Sequence, residues 1–128
     1  MLGLCLALLS LGARAEVLVV TDRQHPVQSV PNARVIELDA PGRIEADLAA
    51  NLPTDPDQAA ATMQQRLQQG GDPLQRRLGA AWQGVAESWG LGIAKVPAVV
   101  VDRRYVVYGQ PDVAAAVARI DSFRRTQP

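Results

Sequence analysis

The chain has 128 residues, with thirteen basic and thirteen acidic side chains and one histidine, so its charges cancel. That balance gives no electrostatic case for nucleic acid or an anionic membrane surface as a partner. Its one cysteine, Cys5, falls in an apolar N-terminal run; a domain built from the rest has no disulfide exchange and no thiolate metal site, since each requires a thiol.

Leu2 to Leu11 is almost wholly apolar and is followed by Gly12-Ala13-Arg14-Ala15. An apolar run of this length ending in a small-x-small site reads as a secretory signal peptide over residues 1–15. It is too short for a membrane span, which needs about 20 residues. No Lys or Arg precedes the run, so its n-region is the terminal amine alone or the true start lies upstream. A buried N-terminal helix is the alternative reading. Leu4 directly before Cys5 argues against a lipoprotein anchor, whose processing takes a small residue there. Residues 16–128 are then expected to form one exported domain with no membrane span. That length carries a core of its own.

Glu16 to Thr21 reads as a buried strand, because Val17, Leu18, Val19 and Val20 run without interruption and are mostly β-branched. Asp22 to Pro26 is a loop, and Val27 to Asn32 is irregular between two prolines. Arg34 to Asp39 is a second strand, which Ala40-Pro41-Gly42 is expected to end. Arg43 to Leu52 has helical spacing through Ile44, Leu48 and Leu52. A break at Pro53 to Asp57 can cap a second helix, Asp57 to Gln69, rich in alanine and glutamine. Gly70-Gly71-Asp72-Pro73 stops it, and Asp72 and Pro73 suit the N-cap and first position of a third. That third helix, Pro73 to Trp89, carries Leu74, Leu78, Ala81, Trp82, Val85 and Trp89 on one stripe. The plain account of the two tryptophans is packing against the sheet; the sharper one is that one of them anchors a partner.

Val96-Pro97 stands directly ahead of Ala98-Val99-Val100-Val101. Proline has no N–H for a sheet ladder, so it belongs at the start of such a strand and not within it. A short turn leads to Tyr105-Val106-Val107-Tyr108, whose tyrosines fall on opposite faces. Pro111 and Asp112 then open a closing helix with Val113, Ala116, Val117 and Ile120 on its inner face and a frayed end from Phe123. The order β, β, helices, β, β, α places the chain in the α/β class.

The Val-Pro strand, tight hairpin and closing helix resemble the C-terminal half of a thioredoxin-like domain. Lys95 to Asp102, Tyr105 to Gly109 and the alanine-rich helix after Asp112-Val113, with Thr21-Asp22-Arg23-Gln24-His25-Pro26-Val27 after the first strand, resemble a small family of periplasmic proteins encoded on integrating conjugative elements. That family is similar in outline to the TrbC-type pilus-assembly proteins of F-like systems. The resemblance implies a thioredoxin-like mixed sheet flanked by helices, a helical insert before the strand that follows Pro97, and a cis bond at Pro97. It also implies a setting in the periplasm, among other proteins of a conjugative transfer apparatus. It supplies no biochemical activity.

In that fold the loop after the first strand holds the redox cysteines; here the loop is Asp22-Arg23-Gln24-His25-Pro26, with no thiol. One reading makes Asp22, Arg23, His25, Val96, Pro97 and Tyr105 a binding surface, where an extended peptide pairs with free backbone beside the proline. The plainer and favoured reading is that Asp22 and His25 organise a turn. One imidazole with no thiolate is a poor ligand set for zinc or copper, and no nucleophile motif accompanies His25. No cofactor or catalytic residue is implied. The glutamine-rich helix, with Met63, is a solvated insert or a second contact surface, and the pairs Arg76-Arg77, Arg103-Arg104 and Arg124-Arg125 read as solvated. The expected function is a non-catalytic periplasmic part of a conjugative, type IV secretion-like apparatus, acting by protein–protein contact in assembly. The competing expectations are a redox-inactive peptide-binding or chaperone module, and non-thiol chemistry at His25. Oligomeric state is not legible.

Overall fold

All five residues of strand β1 (Val17–Thr21) are buried. A strand covered on both faces reads as a continuous apolar run and sits centrally. The computed structural model, which describes residues 15–127, places β1 between β2 (Ala33–Glu37) and β3 (Ala98–Val101), with β4 (Tyr105–Tyr108) beyond β3. β1 runs parallel to β2 and antiparallel to β3, and β3 runs antiparallel to β4. The fold is α/β with a mixed sheet. Its helices are α1 (Ala40–Leu48), α2 (Pro56–Gly90) and α3 (Val113–Thr126). The long helical insert stands between β2 and β3, and the Val96–Pro97 bond is cis. The proposed signal peptide and Cys5 lie outside the described residues, apart from Ala15.

Alternation along the strands makes two cores. Val17, Val19, Val99 and Val101 face α3 and pack with its Val113, Ala116 and Ile120. Leu18, Val20, Ile36, Ala98 and Val100 face the other way, joined by Leu38, Leu91, Ile93, Val96 and Val106. On that second face α2 approaches closely through Gly84, where an added Cβ would stand 3.0 Å from Ile36 Cγ2.

Parallel neighbours usually need a helix to cross over. Here the crossover from β1 to β2 is a loop. Val27 and Val30 pack from it onto the first core, and Gln28 pins it to the start of α3. The Gln28 N–H donates to the Pro111 carbonyl at 2.8 Å and the Val113 N–H to the Gln28 carbonyl at 3.0 Å.

The sequence reading is met at the break near Gly71 and differs at both ends of α1, which stops at Leu48 and not at Leu52, and at the end of α3. Ala40-Pro41-Gly42 opens α1 instead of merely ending a strand, because Pro41 occupies the first turn, where no N–H is needed. The two expected central helices meet at Gly71, whose φ of 53° and ψ of −148° break the helical path within α2. Asp55 caps the first of them, accepting from the Asp57 N–H at 3.0 Å. α3 continues to Thr126 instead of fraying at Phe123. Arg124 ties its last turn to Asp102 at 2.8 Å.

Candidate functional site

The loop after β1 turns its polar groups on itself. Asp22 Oδ1 accepts from the backbone N–H of Gln24 and of His25, each at 3.0 Å, and lies 2.6 Å from His25 Nδ1. The Thr21 hydroxyl donates to the His25 carbonyl at 2.6 Å, and the Arg23 N–H donates to Asp39 Oδ2 at 3.2 Å. The His25 side-chain hydrogen bond, helped by the two backbone donors, holds the Asp22 carboxyl below its usual range. This is an Asx-type turn, so the turn-organising role is visible directly in the hydrogen bonds. The imidazole itself stays half-exposed.

The same end of the sheet carries the proline. Val20 pairs with Ala98, and one further step in register sets Pro97 across from Thr21. The Gly109 N–H donates to the Pro97 carbonyl at 2.9 Å. Val96 lends its side chain to the second core, while its backbone groups have no hydrogen-bond partner among the described residues. Asp22, Arg23, His25, Val96 and Pro97 are thus brought to one end of the sheet.

Tyr105 is not with them. It pairs with Val101, which pairs with Val17 at the opposite end of β1. Its ring meets Phe123 edge-on, with centroids 6.4 Å apart, and lies 4.8 Å from the Arg124 guanidinium carbon and 5.6 Å from that of Arg104. Tyr105 helps to line a groove of about 450 Å³ between β4 and α3, with Arg104, Arg119 and Phe123. The sequence reading did not single out Arg119 or Phe123. The available signal was their spacing of four on α3, which puts both on one flank of the helix.

Trp82 and Trp89 correct an expectation. They are 51% and 73% exposed, and α2 buries Leu74, Val85 and Ser88 instead. At about 100° per residue both tryptophans lie to one side of Leu74, and Gly84 lies to the other. The helix rolls toward the flank that can come closest, where Gly84 touches Ile36. Glu87 locks that flank by accepting from Arg34 of β2 and, at 2.9 Å, from Arg103 of the β3–β4 turn. Arg103 and Arg124 are therefore paired and not simply solvated. The glutamine-rich segment remains exposed. Its Arg66 donates to the carbonyls of Leu48 and Ala50, both at 2.7 Å, tethering it to the end of α1.

Among the described residues no group of three or more His, Cys, Asp or Glu is placed to hold a metal ion, and no helix is long and apolar enough to cross a membrane. A family model described as a protein of unknown function (DUF1525) matches residues 14–126, and the chain belongs to that family. No curated protein and no solved structure matches it.

Proposed function

We propose that this member of the family is a non-catalytic periplasmic component of a conjugative DNA-transfer apparatus, working by protein–protein contact in its assembly. The observation that carries the contact role is the pair Trp82 and Trp89, which stand in solvent on a well-formed helix. Exposing two indoles costs solvation and solubility, and tryptophan is the residue most enriched at interface hot spots. The setting is drawn from the likeness of the Thr21–Val27 motif and the Val96–Pro97 strand to proteins of integrating conjugative elements. The loop that would carry thiol chemistry in a thioredoxin-like domain holds Asp22 and His25 in mutual hydrogen bonds, which supports a scaffold role over a reactive one.

One observation favours a second reading. The Val96 backbone, unpartnered among the described residues, is suited to pairing with an extended peptide, as in a peptide-binding module unconnected with transfer. A donor strain lacking the gene, complemented with wild type, Trp82→Ser/Trp89→Ser or His25→Ala, separates the two. We expect transfer to fall on deletion and to return with wild type and with His25→Ala. The double tryptophan variant should stay at least about tenfold below wild type, as for loss of two interface anchors. Unchanged transfer in the deletion strain would remove the conjugative reading and leave the peptide-binding module. Full rescue by the tryptophan variant with failure of His25→Ala would move the function to the Asp22–His25 turn.

A further inference from the structure

We propose that β4 is an acceptor edge for an extended, acidic segment of a partner protein, which joins the sheet as an added strand. Among the described residues the strand order leaves β4 with a neighbour on one side only. The Gly109 N–H bonds across to Pro97. Alternation along an antiparallel pair then turns the N–H and C=O groups of Tyr105 and Val107 toward β3, and those of Val106 and Tyr108 toward the open side. Among the described residues nothing outside the β3 ladder takes them up. Natural sheets blunt such an edge with charge, proline or a bulge within the strand. Tyr105-Val106-Val107-Tyr108 has no charge, no proline and four good strand formers.

The groove beside this edge says what chemistry fits it. Its floor is apolar, from Tyr105, Ile120 and Phe123, and Phe123 is 53% exposed. Two cations, Arg104 and Arg119, line it. Neither has a carboxylate partner among the described residues, whereas nearby Arg103 and Arg124 are paired with Glu87 and Asp102. Asp121, two positions after Arg119, points to the opposite side of α3. An added strand that alternates acidic and apolar side chains meets both the arginines and the aromatic floor. A second copy of this chain does not fit: an antiparallel β4–β4 pair would set Arg104 across from the Tyr108-Gly109-Gln110 end of the other strand, which offers no carboxylate. This surface is separate from the tryptophan face, and the inference holds whichever apparatus the chain serves.

The test uses the full chain and a fluorescein-labelled decapeptide of alternating glutamate and valine. Controls carry lysine in place of glutamate, or backbone N-methyl groups at alternate residues. Fluorescence anisotropy should show the glutamate peptide binding at least about tenfold tighter than either control, and a similar loss for Arg104→Glu/Arg119→Glu. In the complex, hydrogen exchange at the Val106 and Tyr108 amides should slow, with the protein monomeric before peptide is added. The arginine variant alters exposed side chains only, and its circular dichroism checks its fold; the three peptides on wild type decide the matter without it. Equal binding of glutamate and lysine peptides, undiminished binding of the N-methylated peptide, unchanged exchange at Val106 and Tyr108, or a dimer formed through β4 would each overturn the proposal.

Discussion

At the scale of single side chains, Glu87 is a junction between elements distant in sequence. It joins α2 to β2 through Arg34 and to the β3–β4 turn through Arg103. The Arg34 hydrogen bond first, then that of Arg103, holds the Glu87 carboxyl below its usual range. A carboxyl lowered in the folded state adds stability above its unfolded pKa, near 4, and that stability is lost as pH falls through the folded value. Glu87→Gln should therefore lower the urea midpoint at about pH 6, and its deficit relative to wild type should be smaller at about pH 3. An equal deficit at both pH values would mean that shape, not charge, is what Glu87 supplies. Asp22 and Asp102 are lowered in the same sense by His25 and Arg124. The Asp22–His25 contact was legible in the sequence because its partners are three residues apart. The Arg34–Glu87 pair was not, since only the folded chain brings those positions together.

Elements were legible where local chemistry decides them. Four apolar residues marked β1, and Gly70-Gly71-Asp72-Pro73 marked the break in α2. Gly71 sits at φ 53°, ψ −148°, a region open essentially to glycine alone. Gly71→Ala should cost about 1–3 kcal/mol of unfolding free energy, read by urea denaturation. Gly79→Ala is the contrasting case: a Cβ there meets nothing within 4 Å, and alanine should be neutral or slightly stabilising. A Gly71→Ala protein as stable as wild type would show that the kink is not a fixed feature of the helix. Pro41 and the tryptophans were misread for one physical reason. Local pattern gives an element's period and stop signals, but not where it is anchored or which way it rolls. Pro41 serves a helix's first turn, and the contact between Gly84 and Ile36 turns the indoles outward.

Across the whole molecule, the α/β order and the proline ahead of β3 follow from the chain. The crossover loop between β1 and β2 depends on pairing with the start of α3, 84 residues away at Gln28 and Asp112. Five of the six candidate binding residues gather at one end of the sheet because each sits at the end of a strand. Tyr105 sits at the opposite end, since the β3–β4 hairpin reverses direction. The groove beside it joins a hairpin to a helix, and no single stretch of sequence displays it. The molecule thus offers three distinct surfaces: a self-bonded turn beside Pro97, an open basic strand edge, and a tryptophan face on α2. The contact role rests most on the last. The most direct measurement places a photo-crosslinking benzoylphenylalanine at Trp89 in donor cells, with the same group at the exposed Gln58 as control. The account predicts a defined adduct from position 89, containing a protein of the transfer apparatus and absent from position 58. No adduct from position 89, or the same products from both positions, would contradict it.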